Sequence, residues 1–356
     1  MIRIFMVGFS TNKGGVESYI VNLTEQLDSS EFEVILEMPE MIIDGKTWKR
    51  PANRHNFIKY YMFWKQFFSE NHFDVLYLNT CDIVSIDDLI FAKSAGIPVR
   101  IIHSHSTGNQ QEIERRMNLF HRLSEYYSRK VLDQYATHML ACSETAGAWM
   151  FNGRPFTVIK NGISLPKYSY SEKSRKKIRS KLGIQNEKLI GIIGRISPQK
   201  NPLFAIEILK KVLMEHRNYN AAFVGDGELR SETENAIKVA GLKNRVYFAG
   251  AVDNVNEWLS AVDCLLMPSL FEGLPFVLVE AQAAGLPCVV SSSVSEEANI
   301  SGYLQYVSLD DPLDSWMESV IYAAQSPRYN AEKKIIDAGY SIEDSVREVT
   351  ELIKNA

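Results

Sequence analysis

The chain has 356 residues, enough for two domains of ordinary size, and its 46% hydrophobic and 23% charged residues belong to a globular protein rather than a disordered one. A net charge of −4 argues against a nucleic-acid binder, which carries a basic excess. Cys81, Cys142, Cys264 and Cys288 are far apart and form no Cys-x-x-Cys pair, so neither a zinc site nor a disulfide framework is expected, but free, buried or half-buried thiols in a reducing compartment.

Residues 2–7 read as a buried strand, Gly14-Gly15 follows it, and residues 16–27 have helical spacing. Strand-like runs recur at 34–38, 75–78, 99–102, 138–142 and 157–159. The basic segment 167–181 reads as a connection and the first surface helix of a second series. That series starts with a strand at 189–193 ending on Gly194 and a helix over 202–214. A strand at 221–224 then runs into the Gly225-Asp226-Gly227 turn. Strands at 246–249, 264–267 and 288–290 alternate with helices near 229–240, 255–261 and 275–284, and a last helix covers about 341–354. Alternating strand and helix is the pattern of a parallel sheet with helices on both faces. Two such series predict an α/β protein of two Rossmann-like domains, 1–165 and 166–340, with a C-terminal helix, 341–356, packing back on the first. Parallel sheets bind ligands beyond the carboxyl ends of their strands, so the expected site is the cleft between the domains. No run approaches the ~18 apolar residues of a membrane span, and the N-terminus lacks the apolar core of a signal peptide. A cytoplasmic protein, able to touch the membrane from inside, is expected.

The residues just after the strands carry the chemistry. Gly14 and Gly15 open the first helix, where backbone N–H groups can approach an anion. Gly194-Arg195, with Lys200, Asn201 and Pro202, puts two cations at a strand end just before a helix; a guanidinium fork and an ammonium can hold a diphosphate between them. Glu272-Gly273-Leu274-Pro275 follows the strand at 264–267 and leads into a helix carrying Glu280. Carboxylates so placed can grip sugar hydroxyls and a ribose. His103 and His105 end the strand that begins at Val99, and alternation puts both on one face.

With these residues together, the chain resembles the family-four glycosyltransferases of the GT-B fold. Glu272-x7-Glu280 matches that family's hallmark, as do the flanking Pro268-Ser269 and Gly285-Leu286-Pro287. Val224-Gly225-Asp226-Gly227 and Lys160-Asn161-Gly162 look like two further landmarks. The resemblance spans nearly the whole chain. It implies that Arg195 and Lys200 hold the donor diphosphate with help from the Gly14-Gly15 backbone, and that Glu280 contacts the ribose. It also implies that Glu272, with the Gly273 and Leu274 backbone, positions the sugar, that Ala251 and Val252 meet the base, and that one of His103 and His105, with His105 favoured, approaches the sugar.

The resemblance further implies transfer with retention from a nucleotide-sugar donor, UDP being the expected nucleotide, to a glycan or lipid-linked acceptor of bacterial capsular or exopolysaccharide synthesis. No Asp-x-Asp motif is present, so neither a divalent metal nor another cofactor is expected. The first domain should hold the acceptor. The aromatic stretch 57–68 and the basic, amphipathic stretch 114–130 are candidates for contact with an anionic membrane, beside the plainer reading as core-packing helices. Two other readings are a UDP-sugar epimerase on the same architecture and a catalytically silent partner subunit. Glu272-x7-Glu280 argues against the first, and the full set of donor-site charges against the second.

Overall fold

The computed structural model describes residues 1–9, 14–51, 56–106, 119–272 and 274–356. They form two compact units, one of Met1–Gly162 with Ile342–Ala356 and one of Ile163–Ser341.

The first unit is built on a six-stranded parallel sheet. Its strands are β1 (Ile2–Val7), β2 (Phe32–Leu36), β5 (Val75–Thr80), β6 (Val99–Ser104), β7 (His138–Ala141) and β8 (Thr157–Val158), in the order β2-β1-β5-β6-β7-β8. Strict alternation divides each strand between two cores. Phe5, Val7, Leu76 and Leu78 face one layer; Ile4, Met6, Val75 and Tyr77 face the other. Helices Phe57–Glu70, Asp87–Ser94 and Leu119–Tyr135 supply the first layer, joined by an antiparallel hairpin of β3 (Glu40–Ile43) and β4 (Lys46–Lys49) whose Trp48 packs edge-on to Phe67. Helix Gly15–Gln26 and the C-terminal helix Ile342–Asn355 supply the second, in contact with each other.

The second unit contains β9 (Lys188–Ile193), β10 (Tyr219–Val224), β11 (Val246–Gly250), β12 (Cys264–Met267), β13 (Cys288–Ser291) and β14 (Leu304–Val307). Their order, β11-β10-β9-β12-β13-β14, is third, second, first, fourth, fifth, sixth: the doubly wound arrangement in which the chain reverses direction between β9 and β12.

Most expected elements appear near their expected bounds. The strand expected at 34–38 runs instead over Phe32–Leu36, because pairing with β1 begins at Phe32. The thiols depart from expectation in one place: Cys142, Cys264 and Cys288 are buried, but Cys81 is exposed just beyond the end of β5. Among the described residues no helix is long and apolar enough to cross a membrane.

Candidate active site

In the second unit the site grows from the point where the chain reverses. Connections leaving β9 and β12 diverge to opposite sides of the sheet, which opens a crevice at their carboxyl ends. Gly194, Arg195 and Ile196 after β9, Pro268 and Ser269 after β12, and Lys200 with Pro202 line a small cleft there. The floor is a lattice of loop backbones. Gly194 N–H donates to Val224 O at 2.9 Å, and Ile196 N–H to Asp226 O at 2.9 Å. Gly225 has φ +141°, and a Cβ on it would lie 2.0 Å from the Gly194 carbonyl oxygen, so only glycine fits this crossing.

Lys200 closes a short 3-10 turn, Pro198–Lys200, and Asn201 with φ 53° redirects the chain into helix Pro202–Glu215. Gln199 ties this turn to the loop after β12: its side-chain amide donates to Phe271 O at 3.1 Å, and Leu270 N–H donates to Gln199 O at 2.8 Å. The result brings the Lys200 ammonium within 2.5 Å of a Glu272 carboxylate oxygen, the side chains being 19% and 8% exposed. The carboxylate neutralises the cation in a screened position, and an entering phosphate would compete with it for the same ammonium. Arg195 is the opposite case. Its side chain is 71% exposed and pairs with Glu228 at 3.2 Å, a contact worth little in solvent.

Glu280 lies inside helix Phe276–Ala283 and is only 5% exposed. Burial pushes its carboxyl up to about 7, while a hydrogen bond from the Tyr168 hydroxyl and the Lys167 charge pull the other way.

In the first unit, the second-layer face beyond the sheet carries a polar chain. Tyr19, one turn into helix Gly15–Gln26, places its hydroxyl 3.0 Å from that of Tyr77, which lies 2.9 Å from His103 Nδ1. His103 is fully buried; burial and the adjacent His105 hold it well below the usual imidazole range. His105 sits just past the end of β6, its ring centroid 4.1 Å from that of His103 and 5.0 Å from that of Tyr19. Burial pushes it down to about 3, with Asn161 as a counteracting hydrogen-bond neighbour, so both rings are neutral at pH 7. Asn79 fixes the tautomer. Its amide nitrogen donates to Val7 O at 3.2 Å, so its oxygen, 3.0 Å from His105 Nε2, accepts a hydrogen bond from the N–H of that nitrogen and leaves Nδ1 with a lone pair. Gly14 is the N-cap of the helix that begins at Gly15 and, having no side chain, offers none to its first amides.

Residues 174–355, more than half of the chain, match the family described as Glycosyl transferases group 1. The chain belongs to that family. EpsF of Bacillus subtilis (strain 168), named as a glycosyltransferase, is 28% identical over 97% of this chain and 94% of its own length. The UDP-Gal:alpha-D-GlcNAc-diphosphoundecaprenol alpha-1,3-galactosyltransferase of Escherichia coli is 26% identical over 74% of this chain and 70% of its own. Among solved structures, Anabaena Alr3699/HepE in complex with UDP and glucose superposes with a TM-score of 0.77 at 18% identity, each chain fully covered. The fold is therefore GT-B, and the protein is a glycosyltransferase.

Within this glycosyltransferase the expected residues are not all brought together. Arg195 and Lys200 line the cleft, and Glu272 touches it through Lys200. Leu274 is half-buried against the core, and Gly273 lies outside the described residues. Ala251 and Val252 follow the edge strand β11, separated from β9 by β10, and do not line the cleft. Sequence reasoning assigned no role to Ser269, whose buried hydroxyl at the cleft has no hydrogen-bond partner among the described residues. Its place directly after β12 was the available signal. Tyr168, Asn79, Tyr19 and Tyr77 had none, since their roles arise from contacts across strands and helices.

Proposed function

We propose that this glycosyltransferase moves a sugar from a nucleotide-sugar donor, with UDP as its nucleotide, to a glycan or lipid-linked saccharide in bacterial capsular or exopolysaccharide assembly. The observation that carries the reading is the Lys200–Glu272 pair beside Arg195 at the crevice between β9 and β12. A cation already held by a carboxylate at this place suits a donor whose diphosphate takes the ammonium and whose sugar hydroxyls take the carboxylate. The relative from Escherichia coli, named for a UDP-Gal donor and a diphosphoundecaprenol acceptor, supports both ends of the reaction.

In this reading the second unit holds the donor and the first the acceptor. As the bond between the anomeric carbon and the β-phosphate oxygen breaks, negative charge gathers on the diphosphate, and Arg195 and Lys200 stabilise it. Removing one preorganised donor of this kind costs about 3 kcal/mol of barrier. The acceptor oxygen attacks from the face the diphosphate leaves, its proton passes to a departing phosphate oxygen, and the anomeric configuration is retained. The two cations take the electrostatic role a metal plays elsewhere. The buried Glu280 would meet the ribose after turning from Tyr168. His105, neutral, would meet the sugar as a hydrogen-bonding group. The Gly15 amide would assist the diphosphate, and Gly273, Leu274, Ala251 and Val252 would supply the remaining sugar and base contacts. The work would be done in the cytoplasm at the inner face of the membrane.

Incubation with a panel of UDP-sugars and a saccharide on a lipid diphosphate, with EDTA present, tests this. The expected product carries the donor's anomeric configuration by NMR, and Lys200→Ala slows its formation more than a hundredfold. Inversion, or loss of transfer in EDTA restored by a divalent cation, would contradict the mechanism.

A further inference from the structure

Ser269 follows β12 and is fully buried. Its backbone is held from both sides. Its carbonyl accepts a hydrogen bond from the Ser291 hydroxyl at the end of β13. The next residue, Leu270, donates its N–H to Gln199 O at 2.8 Å, and the Gln199 side-chain amide donates to Phe271 O at 3.1 Å. Ser269 is thus clamped between the neighbouring strand and the turn that carries Lys200.

The Ser269 hydroxyl itself has no hydrogen-bond partner among the described residues. Other buried serines differ. Ser104 donates to Ala146 O at 3.2 Å, Ser260 to Asn256 O at 3.1 Å and Ser345 to Lys160 O at 2.7 Å. Ser291 donates to the carbonyl of Ser269. Buried hydroxyls are nearly always satisfied, because bonds within the fold replace the bonds lost to water. The loop around Ser269 is well bonded along its backbone, so the unspent hydroxyl does not belong to a loose segment.

The surroundings of this hydroxyl say what it lacks. Ser269 lines the cleft with Gly194, Arg195 and Lys200. The arginine and lysine side chains are donors only. The carboxylate of Glu272 is taken up by the Lys200 ammonium. A cleft that gathers two cations and an unspent O–H is short of acceptors. The group that completes it brings negative charge together with several acceptor oxygens, which is the chemistry of a phosphate. A neutral sugar hydroxyl would satisfy Ser269 and leave the cations unmatched. Because the hydroxyl is shielded from water, no solvent has to leave it when an acceptor arrives, and a fixed, shielded donor is stronger than one on the surface.

We infer that the Ser269 hydroxyl is a further binding group of this cleft, donating to a phosphate oxygen of the nucleotide-sugar's diphosphate beside Arg195 and Lys200. This role rests on the reading of the cleft as a diphosphate site and adds a neutral, directional donor to it. The Lys200 ammonium attracts the phosphate as a point charge; Ser269 fixes its orientation.

Calorimetric titration of wild type, Ser269→Ala and Ser269→Cys with UDP and with inorganic pyrophosphate tests this. The wild type is expected to bind both ligands. Each variant should bind both at least about tenfold more weakly, as for the loss of a hydrogen bond to a charged group, and by similar factors, since the contact is to phosphate. Without ligand, neither variant should melt below the wild type, because the hydroxyl removed forms no bond in the fold. A lower melting temperature in both variants would show that the hydroxyl has a partner within the fold, and overturns the inference. A loss in Ser269→Ala alone is a packing effect, and Ser269→Cys, which fills the space with a poor donor, then decides. Undiminished binding of both ligands by the folded variants overturns the role of Ser269 and leaves the diphosphate reading standing. Weakened UDP with undiminished pyrophosphate puts the contact on the nucleoside and overturns it as well. Binding of neither ligand by the wild type defeats the diphosphate reading itself, and this role with it.

Discussion

At the scale of single residues, the site rests on groups whose ionisation is set by burial. Glu280 takes up its proton near pH 7 because burial, which favours the neutral carboxyl, outweighs the hydrogen bond from Tyr168 and the charge of Lys167. Its carboxyl pKa is raised above the ordinary 4.5, so the folded state binds the proton more tightly than the unfolded chain. Stability from this group is full below pH 4.5 and falls as pH rises through 7. A ribose that donates to this carboxylate needs it ionised. UDP should therefore bind about tenfold more weakly at pH 6 than at pH 8. Calorimetric titration of wild type and Glu280→Gln checks this: the pH dependence should vanish in the variant, and its survival there would remove Glu280 as the source.

Asn79 acts through another residue. With Asn79 accepting from Nε2, His105 has a fixed tautomer and a pKa of about 3, so no histidine limb is expected in transfer rates from pH 5 to 8. Asn79→Asp keeps the acceptor but adds a charge that favours imidazolium. The acid limb should move up into the accessible range, and the His105 nitrogen shifts in NMR should move with it. Identical nitrogen shifts in the two proteins would show that Asn79 does not hold the ring.

At the scale of elements, the crevice between β9 and β12 depends on three loops that interlock after β9, β10 and β11. Gly225→Ala forces a Cβ onto the Gly194 carbonyl at a backbone angle that side chains rarely adopt. It should cost about 3 kcal/mol of stability, measurable by denaturant unfolding, and a wild-type stability in that variant would mean that the loops part freely. These loops were legible in the sequence, since Gly194-Arg195 and Gly225-Asp226-Gly227 punctuate apolar strands. The β3–β4 hairpin was not noticed, although its Asp44-Gly45 turn, with φ 49° and 79°, has a recognisable two-residue signature. The strand Leu304–Val307 was also missed, being four residues long with no strong alternation to mark it. The pairing of Glu280 with Tyr168 could not be read at all, because it joins residues 112 positions apart on two different helices (280 minus 168).

At the scale of the whole molecule, two sheets of the same kind have different assignments, and the sequence distinguishes them unequally. The second unit carries the dense motif string from Gly194 to Gly285, and the family match falls almost wholly within it and the C-terminal helix. The first unit is recognisable mainly by its strand-end glycines and histidines. Which faces of its helices are buried depends on how the fold packs them against the sheet. An amphipathic pattern alone does not say which end of a helix lies at the working edge of a sheet.

The central claim is that the crevice between β9 and β12 holds a nucleoside diphosphate through Lys200. The most direct test is a thermal-shift screen of wild type and Lys200→Ala against UDP, GDP, ADP, CMP and NAD. A ligand at 100 times its Kd adds about 2.7 kcal/mol of stability. UDP alone should raise the melting temperature of the wild type, and the same concentration should raise that of Lys200→Ala much less. Stabilisation by none of the five, or equal stabilisation of both proteins by UDP, would contradict the account.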